Sequence, residues 1–155
     1  MAPFEIETVR SLKQWEGREF PATDWFVVTQ DRIQKFADAT EDYQWIHVDP
    51  ERAARESPFG GSIAHGFLTL SLLSHFLKQA IHIRSGVAIS VNYGLNKVRF
   101  PSAVRADSAI RARISLLSVK ESAEFLDATF LFRIESQSSP KPCCVAEWLV
   151  RYYTR

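Results

Sequence analysis

The feature that most constrains the fold is an apolar helical segment that lacks a clean polar face. Residues 62–80, SIAHGFLTLSLLSHFLKQA, carry seven Phe and Leu side chains within eleven positions. A helix that is apolar on all sides must be buried nearly all round. A membrane span needs about 18 apolar residues, and His65, His75 and Lys78 interrupt this segment. We therefore predict that the rest of the chain wraps around it.

The chain after Gly86 has the character of successive β-strands. The segments GVAISVNY, NKVRF, SAIRARISLLSV, EFLDATFLFRIES and CCVAEWLVRYY are rich in β-branched and aromatic residues. In AIRARI, Ile110, Ala112 and Ile114 fall on one face of a strand, and the two arginines fall on the other. Strands that follow helices in this way predict an α+β fold, with a long antiparallel sheet wrapped around the central helix.

The first third of the chain predicts one strand and two helices. Residues 25–29, WFVVT, are β-branched and aromatic, which indicates a strand. Thr29 is then placed to cap a helix over residues 30–39. The Asp-Pro pair at 49–50 predicts a second helix start, and this helix is expected to end near Glu56.

Length and charge exclude several classes of protein. We expect one domain over residues 1–155, long enough to bury a core without disulfides or metals. With 19 basic and 18 acidic residues the net charge is +1, so no charge surplus attracts nucleic acid or an anionic membrane. The start of the chain lacks a basic stretch followed by an apolar run, which predicts a cytoplasmic protein. The adjacent Cys143 and Cys144 are interpreted as reduced strand residues, with a strained vicinal disulfide switch as the alternative.

The stretch EDYQWIHVDP at residues 41–50 is the first candidate for chemistry. Five residues separate Asp42 from His47, a spacing that turns them about 140° apart on a helix and places them on opposite faces of a strand. They converge only if the segment is an irregular loop, packed down by Tyr43, Trp45 or Ile46. The alternative is that Asp42 merely turns the chain and His47 lies on the surface.

The second candidate is PFGGSIAHG, in which a glycine pair precedes the start of the apolar helix. The free N–H groups at a helix N-terminus carry partial positive charge. Gly66 has no side chain, so it can present a bare N–H to an oxygen that becomes negative during a reaction. The alternative is a glycine turn that serves only the packing of the helix.

FADATEDYQWIHVDPERA followed by PFGGSIAHGFLTLSLL resembles the MaoC-like, (R)-specific enoyl-CoA hydratase family (hydratase 2) of the hot-dog fold, and within it the nodulation protein N-like branch. The resemblance spans nearly the whole chain, including NYGLNKVRFPSAV and CVAEWLVRYY. It implies an antiparallel sheet around one long helix, a homodimer, and an enzyme that adds water across trans-2-enoyl-CoA to give (R)-3-hydroxyacyl-CoA. Coenzyme A is then part of the substrate, and neither a metal nor another cofactor is needed.

The resemblance also assigns site residues. The family's Asp and His, which hold the attacking water, fall on Asp42 and His47. The Gly whose amide faces the thioester oxygen falls on Gly66, and a Ser expected near the Asp and His falls on Ser74. The family motif differs here at Glu41, which replaces a glycine.

Further assignments concern the loop, the coenzyme A phosphates and the remaining histidines. The family's Asn-Pro is Gln44-Trp45 here, which leaves the rigidity of the loop to the Trp45 indole. Lys97 and Arg99 are singled out as phosphate contacts, since they follow NYGLN, and the alternative is that they are solvated strand charges. Other candidate contacts are Arg84, Arg105, Arg111 and Arg113. His65 is expected to make a structural hydrogen bond, His75 is an ordinary helix histidine, and His82 lies on the surface.

Three other functions stay open on the sequence. A hot-dog thioesterase would direct water at the thioester carbonyl, although the Asp-x4-His loop before a His-Gly helix start favours the hydratase. A non-catalytic acyl-CoA binding or partner subunit would bind the thioester without turning it over. A purely structural oligomer would do neither.

Overall fold

The structure, a computed structural model, describes residues 2–155. Its strands are β1 (Phe4–Thr8), β2 (Phe26–Val28), β3 (Ile81–Ser85), β4 (Val87–Arg99), β5 (Ser108–Glu121), β6 (Phe125–Ser136) and β7 (Ser139–Thr154). Its helices are α1 (Gln30–Thr40), α2 (Trp45–Val48), α3 (Pro50–Glu56), α4 (Gly66–Ser71) and α5 (Leu73–Ala80), with a 3-10 helix over Arg10–Trp15. The main sheet is antiparallel in the order β2-β5-β6-β7-β4, and β1 pairs with β3 in parallel.

The inner face of the sheet forms the core around the helices. Burial alternates along β5, β6 and β7, as expected for an antiparallel sheet with one covered face. Helix α4 contacts β7, and α5 contacts β5 and β3. Phe76 of α5 is fully buried, as are Phe130 and Phe132 of β6. The predicted α+β arrangement, with an antiparallel sheet wrapped around a central helix, is confirmed.

The central helix differs from its prediction in two respects. It is divided at Leu72, whose backbone (φ −77°, ψ −5°) joins α4 to α5. It is also open on one side, where Phe67 is 70% exposed and where Ser71, Ser74 and Lys78 face outward. The sheet covers one side of the helix, so the expectation of burial nearly all round is wrong for the single chain. No helix within residues 2–155 is long and apolar enough to cross a membrane.

The predicted helix starts are confirmed. The Thr29 side chain accepts a hydrogen bond from the Arg32 N–H at 3.2 Å, which caps α1. The Asp49 carboxylate accepts from the Arg52 N–H at 2.9 Å, which caps α3. Both caps satisfy amides that the first helical turn cannot bond internally.

The strands extend beyond the prediction at both ends of the helical layer. The pair β1 and β3 was not predicted, and the two stretches after Gly86 form one long strand, β4, with irregular register near Asn92 and Leu95. Cys143 and Cys144 are buried on β7 and unbonded to each other, as predicted for reduced strand residues. Burial raises the pKa of the Cys143 thiol to about 12 and that of Cys144 to about 11.

Candidate active site

The segment that carries Asp42 leaves helix α1 through a left-handed residue. Glu41 follows the end of α1 with φ 58°, a conformation that glycine adopts at little steric cost. Residues 41–44 then form a short loop, which we call the 41–44 loop. His47 lies in the four-residue helix α2, so the prediction of an irregular loop holds for Asp42 and is wrong for His47.

The aromatic residues of this segment do not all pack inward. Tyr43 is 52% exposed and interacts with Asp38 of α1, so of the three side chains named as alternatives for packing the segment down, Tyr43 does not take this role. Trp45 is half-buried, and the Arg52 guanidinium of α3 lies 4.3 Å from the centre of its ring. Trp45 therefore connects the segment to α3. The Asp42 side chain remains 55% exposed and is not withdrawn from water.

His47 is held by contacts on both its backbone and its ring. The Ile63 N–H donates to the Ile46 carbonyl at 3.0 Å, and the Gln30 side-chain amide donates to the His47 carbonyl at 2.7 Å. The His47 Nδ1 lies 2.6 Å from the Ile63 carbonyl oxygen. A carbonyl only accepts, so Nδ1 carries the proton and Nε2 keeps its lone pair. His47 itself is 7% exposed.

The segment before α4, residues 62–64, is held by backbone hydrogen bonds to residues 104–106. Ala64 donates to the Val104 carbonyl at 2.8 Å, and Ala106 donates to the Ser62 carbonyl at 2.9 Å. Ile63 also forms an isolated antiparallel bridge with Arg105. These bonds set the position at which the chain enters α4 at Gly66.

Asp42 and His47 line a single cavity together with His65 and Gly66. Its volume is about 420 Å³, and its remaining walls are Phe36, Thr40 and Phe67. Gly66 is the first residue of α4, and its amide has no acceptor within the helix. The hydrogen-bonding groups that the sequence assigned to two separate motifs therefore share one space, and we call it the Asp42–His47 cavity.

The environment of His47 disfavours its charged form. Burial lowers the pKa of His47 below the ordinary imidazole value, and the neighbouring His65 acts in the same direction. The hydrogen bond to Ile63 and the Asp42 carboxylate act against this shift but do not reverse it. His47 is therefore neutral at neutral pH and available as a proton acceptor.

Asp42, His47 and His65 have ligand atoms within 4.8 Å of one another, a spacing that raises the question of a metal site. The His65 Nε2 lies 3.0 Å from the Asp42 backbone carbonyl, so this nitrogen must donate and has no lone pair for a metal. The lone pair of His65 is then on Nδ1, which points away from the Asp42 backbone that Nε2 faces. His47 Nε2 and an Asp42 oxygen remain, whereas zinc sites in proteins use three or four protein ligands. These residues therefore do not fit a zinc centre.

The other predicted site residues lie outside this cavity. Ser74 lines a neighbouring groove with Asn92 and Trp148, so the structure does not bring it to Asp42 and His47 within one chain. Lys97 and Arg99 are exposed on β4, and the Arg99 guanidinium donates to the Val98 carbonyl at 2.7 Å.

The remaining arginine candidates are engaged elsewhere. Arg84 pairs with Glu5 and Glu7, and Arg111 and Arg113 share Glu135. The Arg105 guanidinium donates to the Gly60 carbonyl. Among the candidate phosphate contacts, Lys97, Arg99 and Arg105 therefore have no carboxylate partner shown in residues 2–155, although the Arg105 guanidinium is held by the Gly60 carbonyl.

Sequence reasoning missed the roles of three residues around the cavity. His65 does make the structural hydrogen bond that was predicted, but its ring also stacks on His47 at 3.8 Å. Gln30 links α1 to α2, and Phe100 lies so close to Gly66 that a Cβ there would approach its ring to 3.1 Å. The His-Gly step was visible in the sequence, whereas the Gln30 and Phe100 contacts join distant segments and have no local pattern.

Comparison with known proteins places this geometry in context. Residues 12–129 match the family described as MaoC like domain. The chain is 48% identical over 148 residues to 3-hydroxyacyl-thioester dehydratase Z of Mycobacterium tuberculosis, covering 95% of this chain and 97% of that protein. Nodulation protein N of Rhizobium leguminosarum bv. viciae is 44% identical over 134 residues, covering 86% of this chain and 83% of that protein.

A solved structure shows the same fold. The (R)-hydratase from A. caviae involved in PHA biosynthesis superposes with a TM-score of 0.69 at 24% identity, covering 87% of this chain and 94% of that chain.

Proposed function

Since the chain belongs to the family of MaoC-like domains, we propose that it catalyses the reversible (R)-specific hydration of trans-2-enoyl-CoA to (R)-3-hydroxyacyl-CoA. The name of the M. tuberculosis relative, a 3-hydroxyacyl-thioester dehydratase, supports a hydro-lyase acting on an acyl thioester. The observation that carries the proposal is the shared cavity of Asp42, His47 and Gly66. The proposed reaction uses no metal and no cofactor beyond the coenzyme A of the substrate.

The chemistry explains why a backbone amide is needed. Conjugation to the thioester lets the β-carbon accept a nucleophile while negative charge moves to the carbonyl oxygen. In the proposed reaction, the Gly66 N–H at the positive end of α4 stabilises that oxygen. Preorganised donors of this kind contribute about 3 kcal/mol each to transition-state stabilisation.

The neutral His47 suits the role of general base. Its Nε2 accepts a proton from water while the water oxygen bonds to the β-carbon, and the Asp42 carboxylate orients that water. The imidazolium then returns the proton to the α-carbon, which restores the starting state of the enzyme. This assignment rests on the Ile63 carbonyl, because it holds the His47 proton on Nδ1.

We propose binding sites near this cavity for the remaining parts of the substrate. Lys97 and Arg99 lie on the strand that leads to Phe100, beside Gly66, and we propose that they contact coenzyme A phosphates. An apolar groove continues past Phe67 along the open side of the central helix, and we propose that it receives the acyl chain. We also propose a homodimer, because β4 is an edge strand with apolar side chains in water.

The test is the loss of enoyl-thioester absorbance when the purified protein meets short- and medium-chain trans-2-enoyl-CoA. Asp42→Asn and His47→Gln are expected to reduce hydration by at least about 100-fold, the usual contribution of general acid–base catalysis. Asp31→Asn is the matched control, since Asp31 is an exposed carboxylate on α1 that pairs with Lys35. Chiral analysis of the product tests the (R) assignment.

Other outcomes would redirect the assignment. Release of free coenzyme A without hydration would indicate a thioesterase. Binding of acyl-CoA by the folded wild type, with no turnover of any tested length, would indicate a binding or partner subunit.

A further inference from the structure

His65 touches every part of the proposed catalytic machinery, although the proposed mechanism gives it no chemical step. It is 2% exposed, and its ring packs against both Phe36 (centroids 5.0 Å apart) and His47 (3.8 Å apart, planes 23° from parallel). Its Nε2 donates to the Asp42 carbonyl at 3.0 Å. As the residue before Gly66, it also provides the backbone carbonyl that begins α4.

The hydrogen bonds define one tautomer for each histidine. His65 carries its proton on Nε2, because the Asp42 carbonyl only accepts. Its Nδ1 is buried without a hydrogen-bond partner among residues 2–155. His47 carries its proton on Nδ1, toward Ile63. Two imidazole rings with defined tautomers therefore stack on each other. Neither ring can flip by 180° without breaking the hydrogen bond to its carbonyl acceptor.

The hydrogen bond from His65 to the Asp42 carbonyl holds the 41–44 loop more firmly than the bond within the loop does. The Asp42 side chain is 55% exposed, and its Oδ1 makes a long bond of 3.4 Å to the Gln44 N–H. The Asp42 carbonyl is instead bound to a ring that is almost fully buried. His65 therefore connects the loop to the helix that begins at Gly66.

We propose that His65 is a positioning residue, which fixes the separation between the Asp42–His47 pair and the Gly66 amide. It acts through its Nε2–H on the Asp42 backbone and through its ring face on the His47 imidazole. This inference rests on the proposed function for its kinetic consequence, but the contacts themselves are open to test without catalysis.

The kinetic test uses two variants that separate the two contacts. His65→Phe keeps an aromatic face against His47 and removes the donor to Asp42, whereas His65→Gln keeps a donor and removes the ring. We expect kcat for enoyl-CoA hydration to fall about 10- to 100-fold in His65→Phe, as ångström-scale misplacement of a catalytic group commonly causes. KM is expected to change little, and His65→Gln is expected to lose less.

His75→Phe is the matched control for burial and packing. His75 lies in the same helical layer, packs on Phe26 and Phe76, and has a buried Nε2 without a partner among residues 2–155. It does not line the Asp42–His47 cavity. We expect this variant to change the melting temperature and to leave kcat within about twofold of wild type, since it moves no group in the cavity.

Nitrogen-15 NMR of the imidazole side chains tests the contact independently of turnover. Wild-type His47 is expected to show a protonated Nδ1 and a bare Nε2 at neutral pH. Because His65 contributes to lowering the pKa of His47, the His47 titration is expected to move to higher pH in both His65 variants. The groups that face His47 in this titration are His65 and Asp42.

The outcomes separate this inference from the proposed function. An unchanged His47 titration in both His65 variants, or kcat within twofold of wild type in both, would overturn the positioning role. A kcat loss that merely follows the melting temperature, as in the His75 control, would do the same. If wild type shows no hydration but the NMR changes occur, the proposed function fails and the positioning contact stands. If His65→Phe does not fold, the His65→Gln titration and kcat decide.

Discussion

The lowered pKa of a single residue, His47, predicts how the rate of hydration depends on pH. Burial, together with His65, lowers its pKa below the ordinary value of about 6.5. We predict that kcat/KM falls on the acid side with a midpoint below pH 6.5, because hydration requires the neutral imidazole. A pH–rate profile of the wild type measures this midpoint, and a midpoint above pH 6.5 would contradict the assignment of His47 as base.

The same shift carries a stability consequence of defined sign. The unfolded chain binds a proton at His47 more readily than the native state, so the contribution of neutral His47 to the unfolding free energy is fully present above about pH 6.5. It is lost as pH falls from there through the lower native value. We predict that His47→Gln reduces the fall of the unfolding free energy across this range, as measured by urea denaturation. The same slope in wild type and variant would be evidence against the shift.

A substitution at Gly66 tests whether the close packing of Phe100 against the start of α4 matters for activity. A Cβ at this position would meet the Phe100 ring at 3.1 Å, whereas a Cβ at Gly94 has no neighbour within 4 Å. We predict that Gly66→Ala folds, because Phe100 is 41% exposed and can move. Its kcat/KM is expected to fall about tenfold or more as the amide and its neighbour shift.

Gly94→Ala is the control, with activity near that of the wild type. If the clash is the cause, a Gly66→Ala/Phe100→Ala double variant should recover part of the activity. A double variant that is less active than Gly66→Ala would assign Phe100 a role of its own.

At the scale of elements, helix caps hold the site in place. Helix α3 begins directly after α2, and the Asp49 carboxylate satisfies the Arg52 N–H at 2.9 Å. We predict that Asp49→Ala lowers the unfolding free energy by about 1 kcal/mol, the usual value of an N-cap. Chemical denaturation measures this loss, and Asp49→Asn should retain most of the stability, since asparagine caps as well. Equal losses in both variants would assign the effect to the Asp49 charge, and no loss in Asp49→Ala would show that the cap contributes nothing.

The central helix shows how one element serves two surfaces. Its inner side packs on the sheet, and its open side carries Phe67 at one end and Lys78 at the other. Ser71 and Ser74 lie between them at helical spacing. This polar stripe was present in the sequence, but the many leucines around it obscured the face.

At the scale of the whole molecule, β4 is the exposed edge of the main sheet. It is 13 residues long, and Ile89, Val91, Tyr93 and Leu95 are each at least 39% exposed. A long apolar edge in water is a ready template for pairing with another strand. We therefore predict that the wild type sediments at twice the monomer mass and that Val91→Lys shifts it toward the monomer.

Leu117→Lys is the matched control for this experiment. Leu117 has a similar exposure of 42% but lies on β5, inside the sheet. A monomeric wild type, or equal dissociation by both substitutions, would contradict pairing through β4.

Most of the helices and strands follow from local patterns in the sequence. Period-two alternation in AIRARI gave the buried and exposed faces of β5, and Thr29 and Asp49 gave the starts of α1 and α3. Such features depend on neighbouring residues and therefore show in a short stretch of chain. The Asp-x4-His stretch and the His-Gly step pointed to residues of the cavity through their resemblance to the family motif, since their spacing alone left other interpretations open.

How those residues meet was not evident from any short stretch of the chain. The turn at Leu72, the exposure of Tyr43, the β1–β3 pair and the placement of Ser74 away from His47 arise from contacts between distant segments. The stack of His47 on His65 joins helix α2 to the start of α4. Local propensity cannot specify such contacts, because their free energy comes from groups that only the folded chain brings together.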